Sequence, residues 1–171
     1  FAVDRHVIAP GALPEGWQRF RACDWGSAKP FSVGWYAVSE GDLDHIPRGA
    51  LVKYREWYGM AEGQPNTGLK LTAEEVAHGI VQREASDPRD QYGRTVAYGE
   101  LDPSAFAQDG GPSIAERMHR AGADFRWRRK STGRSQAARS GIYDMRDHIG
   151  KSRSKAGIRV SVCHPVVHLP I

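Results

Sequence analysis

Apolar and polar positions alternate in three closely spaced runs in the first third of the chain. Arg19 to Asp24 places Phe20 and Ala22 on one parity, while Phe31 to Val38 and Leu51 to Tyr58 are rich in aromatic and β-branched residues. Gly26, Pro30, Gly41, Pro47 and Gly49 fall in the breaks. A period of two bounded by such residues predicts strands, and connections this short predict an antiparallel meander. Residues 1–18, with Pro10, Gly11, Pro14 and Gly16, read as a linker or lead-in, leaving 19–171 as one domain.

The period then changes. Thr72 and Glu75 form a capping-box pattern, and Ala73, Val76, Ala77, Ile80 and Val81 follow on one helical face. After the polar break Asp87-Pro88-Arg89-Asp90, the run from Arg94 to Leu101 predicts a fourth strand, closed by Asp102-Pro103. Pro112 suits the first turn of a second helix, with Ile114, Met118 and Ala121 inward and Gly122 as its stop. A short strand over Phe125 to Arg128, a helix from about Ala137 to Ile149 ended by Gly150, and a last strand over Ile158 to Val162 complete the order. The succession β-β-β-α-β-α-β-α-β implies an α/β fold. Three antiparallel strands are followed by alternating helices and strands, giving a mixed central sheet flanked by helices.

Composition narrows the function classes. The chain has 171 residues, 40% hydrophobic and 26% charged, the balance of a globular domain. No window holds the roughly 18 uninterrupted apolar residues of a membrane span. Phe1-Ala2-Val3-Asp4-Arg5 lacks the basic and apolar regions of a secretion signal, and the missing initial Met suggests a piece of a larger or processed protein. Cys23 and Cys163 belong to no CxxC pair, which favours buried free thiols in a reducing compartment over a disulfide framework or a cysteine zinc site.

Charge is unevenly placed. Residues 115–159 hold 13 Lys+Arg against 4 Asp+Glu, whereas the whole chain is only +4. Such a basic stretch beside an acidic remainder fits a polyanionic partner, although a solvated helix face with a loop accounts equally well for charge alone.

Two carboxylates stand at strand ends, where an acid is partly desolvated and needs a cation or donors to balance it. Asp24 closes the first strand before Trp25-Gly26-Ser27, and Asp102 closes the fourth before Pro103-Ser104. Taken singly, each reads as the cap of an Asx turn. If strands one and four are neighbours, the two converge and supply the hard oxygen ligands that Mg²⁺ or Mn²⁺ requires. Glu56 and Glu100 share the relevant parities but read as paired or surface charges. His164 and His168 have i, i+4 spacing, yet Pro165 argues against the helix that would bring them together.

The run Phe20-Arg-Ala-Cys-Asp24-Trp-Gly-Ser-Ala-Lys-Pro-Phe-Ser-Val-Gly-Trp-Tyr36 resembles the first two strands of the nuclease domain of tailed-phage terminase large subunits. Leu51 to Tyr58 is similar to the third strand, and Asp102-Pro-Ser with Gly110 to Met118 is similar to the segment after the second catalytic aspartate. Lys130 to Gly141 and Tyr143-Asp-Met-Arg146 resemble the family's Arg/Lys-rich region. The resemblance runs from about residue 5 onward and implies an RNase H-like fold. It also implies a metal-dependent endonuclease that cuts concatemeric viral DNA during packaging. Two Mg²⁺ or Mn²⁺ ions, roughly 3.5–4 Å apart in such sites, are implied, with Asp24 as the bridging ligand and Asp102 holding one ion. A third acid is expected in a helix after the last strand, past Ile171.

On this reading Arg126, Arg128, Arg129, Lys130, Arg134 and Arg139 grip phosphates beside the site, joined by Lys151, Arg153 and Lys155. Gly150-Lys-Ser152 is not a P-loop, because Met145 stands at the position of its first glycine. ATP hydrolysis is therefore not expected of this piece, and the resemblance implies an ATPase domain in cis. Further implied partners are double-stranded DNA, the portal protein and the small terminase subunit, in the cytoplasm of an infected host. A junction resolvase or transposase core would use the same aspartates but leaves Gly110 to Met118 unexplained. A nucleic-acid-binding or docking domain without catalysis is the rival from a different class.

Overall fold

The structure, a computed structural model, describes residues 7–9, 11–86 and 96–126. The elements within them are β1 (Gln18–Asp24), β2 (Ser32–Val38), β3 (Leu51–Tyr58), α1 (Ala73–Ser86), β4 (Gly99–Leu101), a 3₁₀ turn (Pro103–Phe106) and α2 (Ile114–Arg120). The strands form one mixed sheet in the order β3-β2-β1-β4, with β1 antiparallel to β2 and parallel to β4. The mixed sheet with helices is the α/β architecture expected from the pattern. Among the described residues no helix is long and apolar enough to cross a membrane.

Strand parity divides the sheet into two faces. Arg21, Cys23, Val33, Trp35 and Ala37 belong to the face that packs on the helices, where Val76, Ala77, Ile80 and Met118 complete the core. On the other face Phe20 stacks between Tyr36 and Tyr98, with ring centroids 5.3 Å apart in each pair. A bulge in the β2–β3 pairing falls at Trp35/Tyr36, where Trp35 faces Arg55 and Tyr36 faces Lys53. The extra residue sharpens the local twist.

The expected capping box starts α1. Glu75 N–H donates to Thr72 Oγ1 at 3.2 Å, and Thr72 N–H donates to Glu75 Oε2 at 2.7 Å. Ala73, Val76, Ala77 and Ile80 are buried, but Val81 is 39% exposed. The buried stripe follows i, i+3, i+4, i+7, and Val81 lies about 100° around the helix from Ile80, outside it.

The second helix begins later than Pro112 suggested. Ser113 is its N-cap, in a reciprocal capping box with Glu116, so Pro112 precedes the cap. The pattern Ser113-x-x-Glu116 carried that signal. Ala115 and Met118 are buried, whereas Ile114 is only partly so. Gly122 ends the helix as expected, at φ +93°. Its N–H donates to His119 O and the Ala123 N–H to Met118 O, the paired bonds of a Schellman motif.

The fourth strand is shorter than the run Arg94 to Leu101. Ala97 N–H already donates to Arg19 O at 2.8 Å, but the regular ladder occupies only Gly99–Leu101. Of the expected strand Phe125 to Arg128, the described part makes one parallel bridge, Glu100 to Arg126. The helix at 137–149 and the strand at 158–162 lie outside the described residues.

Candidate metal centre at the ends of two parallel strands

The parallel pairing of β1 with β4 aligns Cys23 with Leu101. One residue further along each strand stand Asp24 and Asp102. Neighbouring parallel strands run about 4.8 Å apart, and equal steps from a paired position leave both side chains on one face. The condition set by the sequence pattern, that strands one and four be adjacent, is met. Asp24 and Asp102 thus directly follow the same paired position, at one end of two neighbouring strands.

Their immediate surroundings differ. Asp24 is exposed, and its side chain has no hydrogen bond or ion pair among the described residues. Asp102 caps the 3₁₀ turn: its Oδ1 accepts from Ser104 N at 2.8 Å and from Ser104 Oγ at 2.5 Å. The Asx-turn reading therefore holds for Asp102, and it occupies one oxygen of the carboxylate. Ser104 is a contributor that the sequence did not single out, although Asp-Pro-Ser is a turn-initiating triplet.

The cross-sheet rows give the site a floor. Asp24 pairs with Ser32, and Ser32 with Tyr58; one level down, Glu100, Ala22, Gly34 and Glu56 lie side by side. Ala22 and Gly34 are small, and the space above Gly34 is taken by the Tyr36 phenol. A methyl at Gly34 would meet the Tyr36 hydroxyl at 2.7 Å. Burial, then the nearby Glu56 charge, pushes the Tyr36 phenol above its ordinary range. Glu56 is paired with Lys53 Nζ at 2.5 Å, as expected of a sheet-face charge.

Behind the site, on the helix-packed face, Arg21 anchors β1. Its Nη1 donates to Glu84 Oε1 and Oε2 at 2.9 and 3.0 Å, and its Nη2 donates to Asp124 O at 2.5 Å. Trp35 Nε1 adds a bond to Glu84 Oε1 at 2.8 Å. This network ties the strand that ends in Asp24 to α1 and to the segment after α2.

Of the basic residues expected to meet phosphates, Arg126 lies within the described residues. It is exposed, its bridge to Glu100 puts it on the aspartate face, and its guanidinium sits 4.3 Å from the Tyr98 ring centroid. Arg128, Arg129, Lys130, Arg134, Arg139, Lys151, Arg153 and Lys155 lie outside the described residues. Among the described residues no three His, Cys, Asp or Glu side chains converge as a metal cage.

No family model matches the sequence, and no curated protein matches it either. Solved structures do. The nuclease domain of the P22 large terminase superposes with a TM-score of 0.56 at 16% identity, over 94% of this chain and 70% of that one. The large terminase of a thermophilic bacteriophage, in complex with ATP-gamma-S, superposes with a TM-score of 0.57 at 16% identity. That match covers 95% of this chain and 33% of the thermophilic phage protein, so the chain spans about a third of its length. The chain therefore has the fold of a phage large-terminase nuclease domain, the RNase H-like architecture that the sequence resemblance implied.

Proposed function

We propose that this chain is the nuclease domain of a viral DNA-packaging terminase, a divalent-metal-dependent endonuclease that cuts concatemeric double-stranded DNA. The observation that carries the proposal is the parallel pairing of Cys23 with Leu101, which Asp24 and Asp102 directly follow at one end of adjacent strands. The fold shared with the two phage large terminases supports it.

The donor set suits Mg²⁺ or Mn²⁺. Such ions take carboxylate oxygens, and Mg²⁺ is commonly held by one or two carboxylates together with substrate phosphates rather than in an all-protein cage. Asp24 and the second oxygen of Asp102 would hold the ions. When bound, a pair of ions activates water and offsets the charge that builds on the leaving oxygen. The protein's own residues set the stage for this. Ser104 fixes the Asp102 carboxylate, and the Arg21–Glu84 network fixes β1 from behind.

Arg126 and the basic residues from 128 to 155 would neutralise phosphates without reading sequence. A portal protein, a small terminase subunit and an ATPase domain in cis are the proposed partners, in the host cytoplasm. The test is plasmid nicking with Mn²⁺ or Mg²⁺, stopped by EDTA. Asp24→Asn should abolish cutting and leave DNA retention intact. Cutting that persists in that variant rules out the role of Asp24, and retention without cutting under either metal favours the non-catalytic docking reading.

A further inference from the structure

The end of the sheet that carries the two aspartates does not stop at Ser32. Along the same row, on the same face, Ser32 pairs with Tyr58 at the end of β3. Two strand spacings put Tyr58 about 10 Å from Asp24, close to three base steps of rise along a DNA strand. Phe20 and Tyr36 on this face stack and are largely buried, but Tyr58 is 50% exposed. Its backbone is nevertheless fixed: Gly59 N–H donates to Phe31 O at 2.9 Å, and a methyl at Gly59 would meet the Phe31 ring at 2.2 Å.

The two loops beyond this row are locked together. Residues 25–31 follow Asp24, and residues 59–72 follow Tyr58. Gly68 N–H donates to Ala28 O at 2.9 Å and Lys70 N–H to Ser27 O at 3.2 Å. A methyl at Gly68 would lie 2.1 Å from Ser27 O, so this close approach requires glycine. Each loop carries an exposed lysine, Lys29 and Lys70, and neither has an ion-pair or hydrogen-bonding side-chain partner among the described residues. Lys70 is held at φ +59°, in the left-handed region that costs a side-chain-bearing residue free energy. Met60 and Leu69, 40% and 42% exposed, lie beside them.

We infer that Tyr58, Lys29 and Lys70 form a backbone track that holds the DNA strand on the β3 side of the cut, opposite the basic residues that follow β4. The inference rests on the nuclease reading for its substrate. Two carboxylates repel DNA, so phosphates flanking the cut need cations placed just outside the pair. Lys29 and Lys70, on the loops that leave this end of the sheet, supply such cations, and the exposed Tyr58 ring at the end of β3 packs on sugar while its hydroxyl donates to a phosphate. None of the three reads base identity.

The experiment measures binding of the full chain to a labelled duplex by anisotropy across a salt series, and KM and kcat for nicking with Mn²⁺. Lys29→Gln/Lys70→Gln should lower the salt slope by about 0.9 for each phosphate no longer neutralised. Tyr58→Ala should weaken binding about tenfold, mainly through KM, with Tyr58→Phe in between. Arg48→Ala, at the opposite end of the sheet and already paired with Glu40, is the charge control. Unchanged binding in the Tyr58 and lysine variants, or an equal loss per charge in Arg48→Ala, overturns the track. If the unaltered chain cuts while the variants match it, only the track falls. If the unaltered chain does not cut with either metal, the nuclease reading falls, and the binding arm alone decides the track.

Discussion

Arg21 and Glu84, 63 positions apart in sequence, meet in a two-oxygen contact at 2.9 and 3.0 Å behind the strand that ends in Asp24. The arginine side chain is 6% exposed and the glutamate 19%. A pair this desolvated is costly to break from one side, because the remaining charge is left without its counterion. Arg21→Met should therefore destabilise the domain by roughly 3–5 kcal/mol, measured by urea unfolding. Glu84→Gln leaves Arg21 without its counterion but keeps an acceptor for it and for Trp35 Nε1, so its loss should be smaller. Equal losses would mean that charge, not hydrogen-bond geometry, holds this face.

Asp102 has two separable jobs, which its two simplest replacements divide. As a cap it accepts from Ser104 N, and an amide oxygen does that as well as a carboxylate. As a proposed metal ligand it needs its charge. Asp102→Asn should unfold within a few tenths of a kcal/mol of the unaltered chain, while Asp102→Ala should lose about 1 kcal/mol, the usual worth of such a cap. Both should lose Mn²⁺ affinity in calorimetry. Undiminished Mn²⁺ binding by Asp102→Asn would leave the residue a cap and nothing more.

The sequence made local features legible and long-range ones only through their consequences. The β3 bounds, Leu51–Tyr58, coincide with the expected run, and β1 and β2 differ from theirs by one residue at the start. Period-two burial on this sheet is a local signal. The Thr72–Glu75 box and the Gly122 stop were legible for the same reason: each is complete within a few residues. The Asp24–Asp102 relationship was readable only as a conditional, since adjacency of strands 78 positions apart at those residues leaves no mark in either strand alone. The Arg21–Glu84 pair left none at all. An arginine within an apolar strand and a glutamate on a polar helix turn each look like ordinary surface charges until the fold brings them together. Tyr58, Lys29 and Lys70 were hidden likewise, because their grouping depends on Gly68 abutting Ser27 across two loops.

The junction of α1 and α2 should make the domain acid-sensitive in a defined window. Arg117 Nε and Nη2 donate to Glu74 Oε1 and Oε2 at 2.8 and 2.7 Å. Those bonds, with the Glu74 backbone N–H, lower the Glu74 carboxyl to about 2. An unfolded glutamate titrates near 4.3. Because the folded value is the lower one, the contribution is complete above the unfolded value and fades as pH falls toward 2. Thermal unfolding followed from pH 6 down to pH 2.5 should show a falling Tm in the unaltered chain. Glu74→Gln should start lower at pH 6 and fall less steeply. It will not be flat, because hydrogen bonds at Thr72 and Ser113 also lower Glu75 and Glu116. The same slope in both proteins would show that the Glu74–Arg117 pair contributes nothing to the acid response, and that the helix caps account for it.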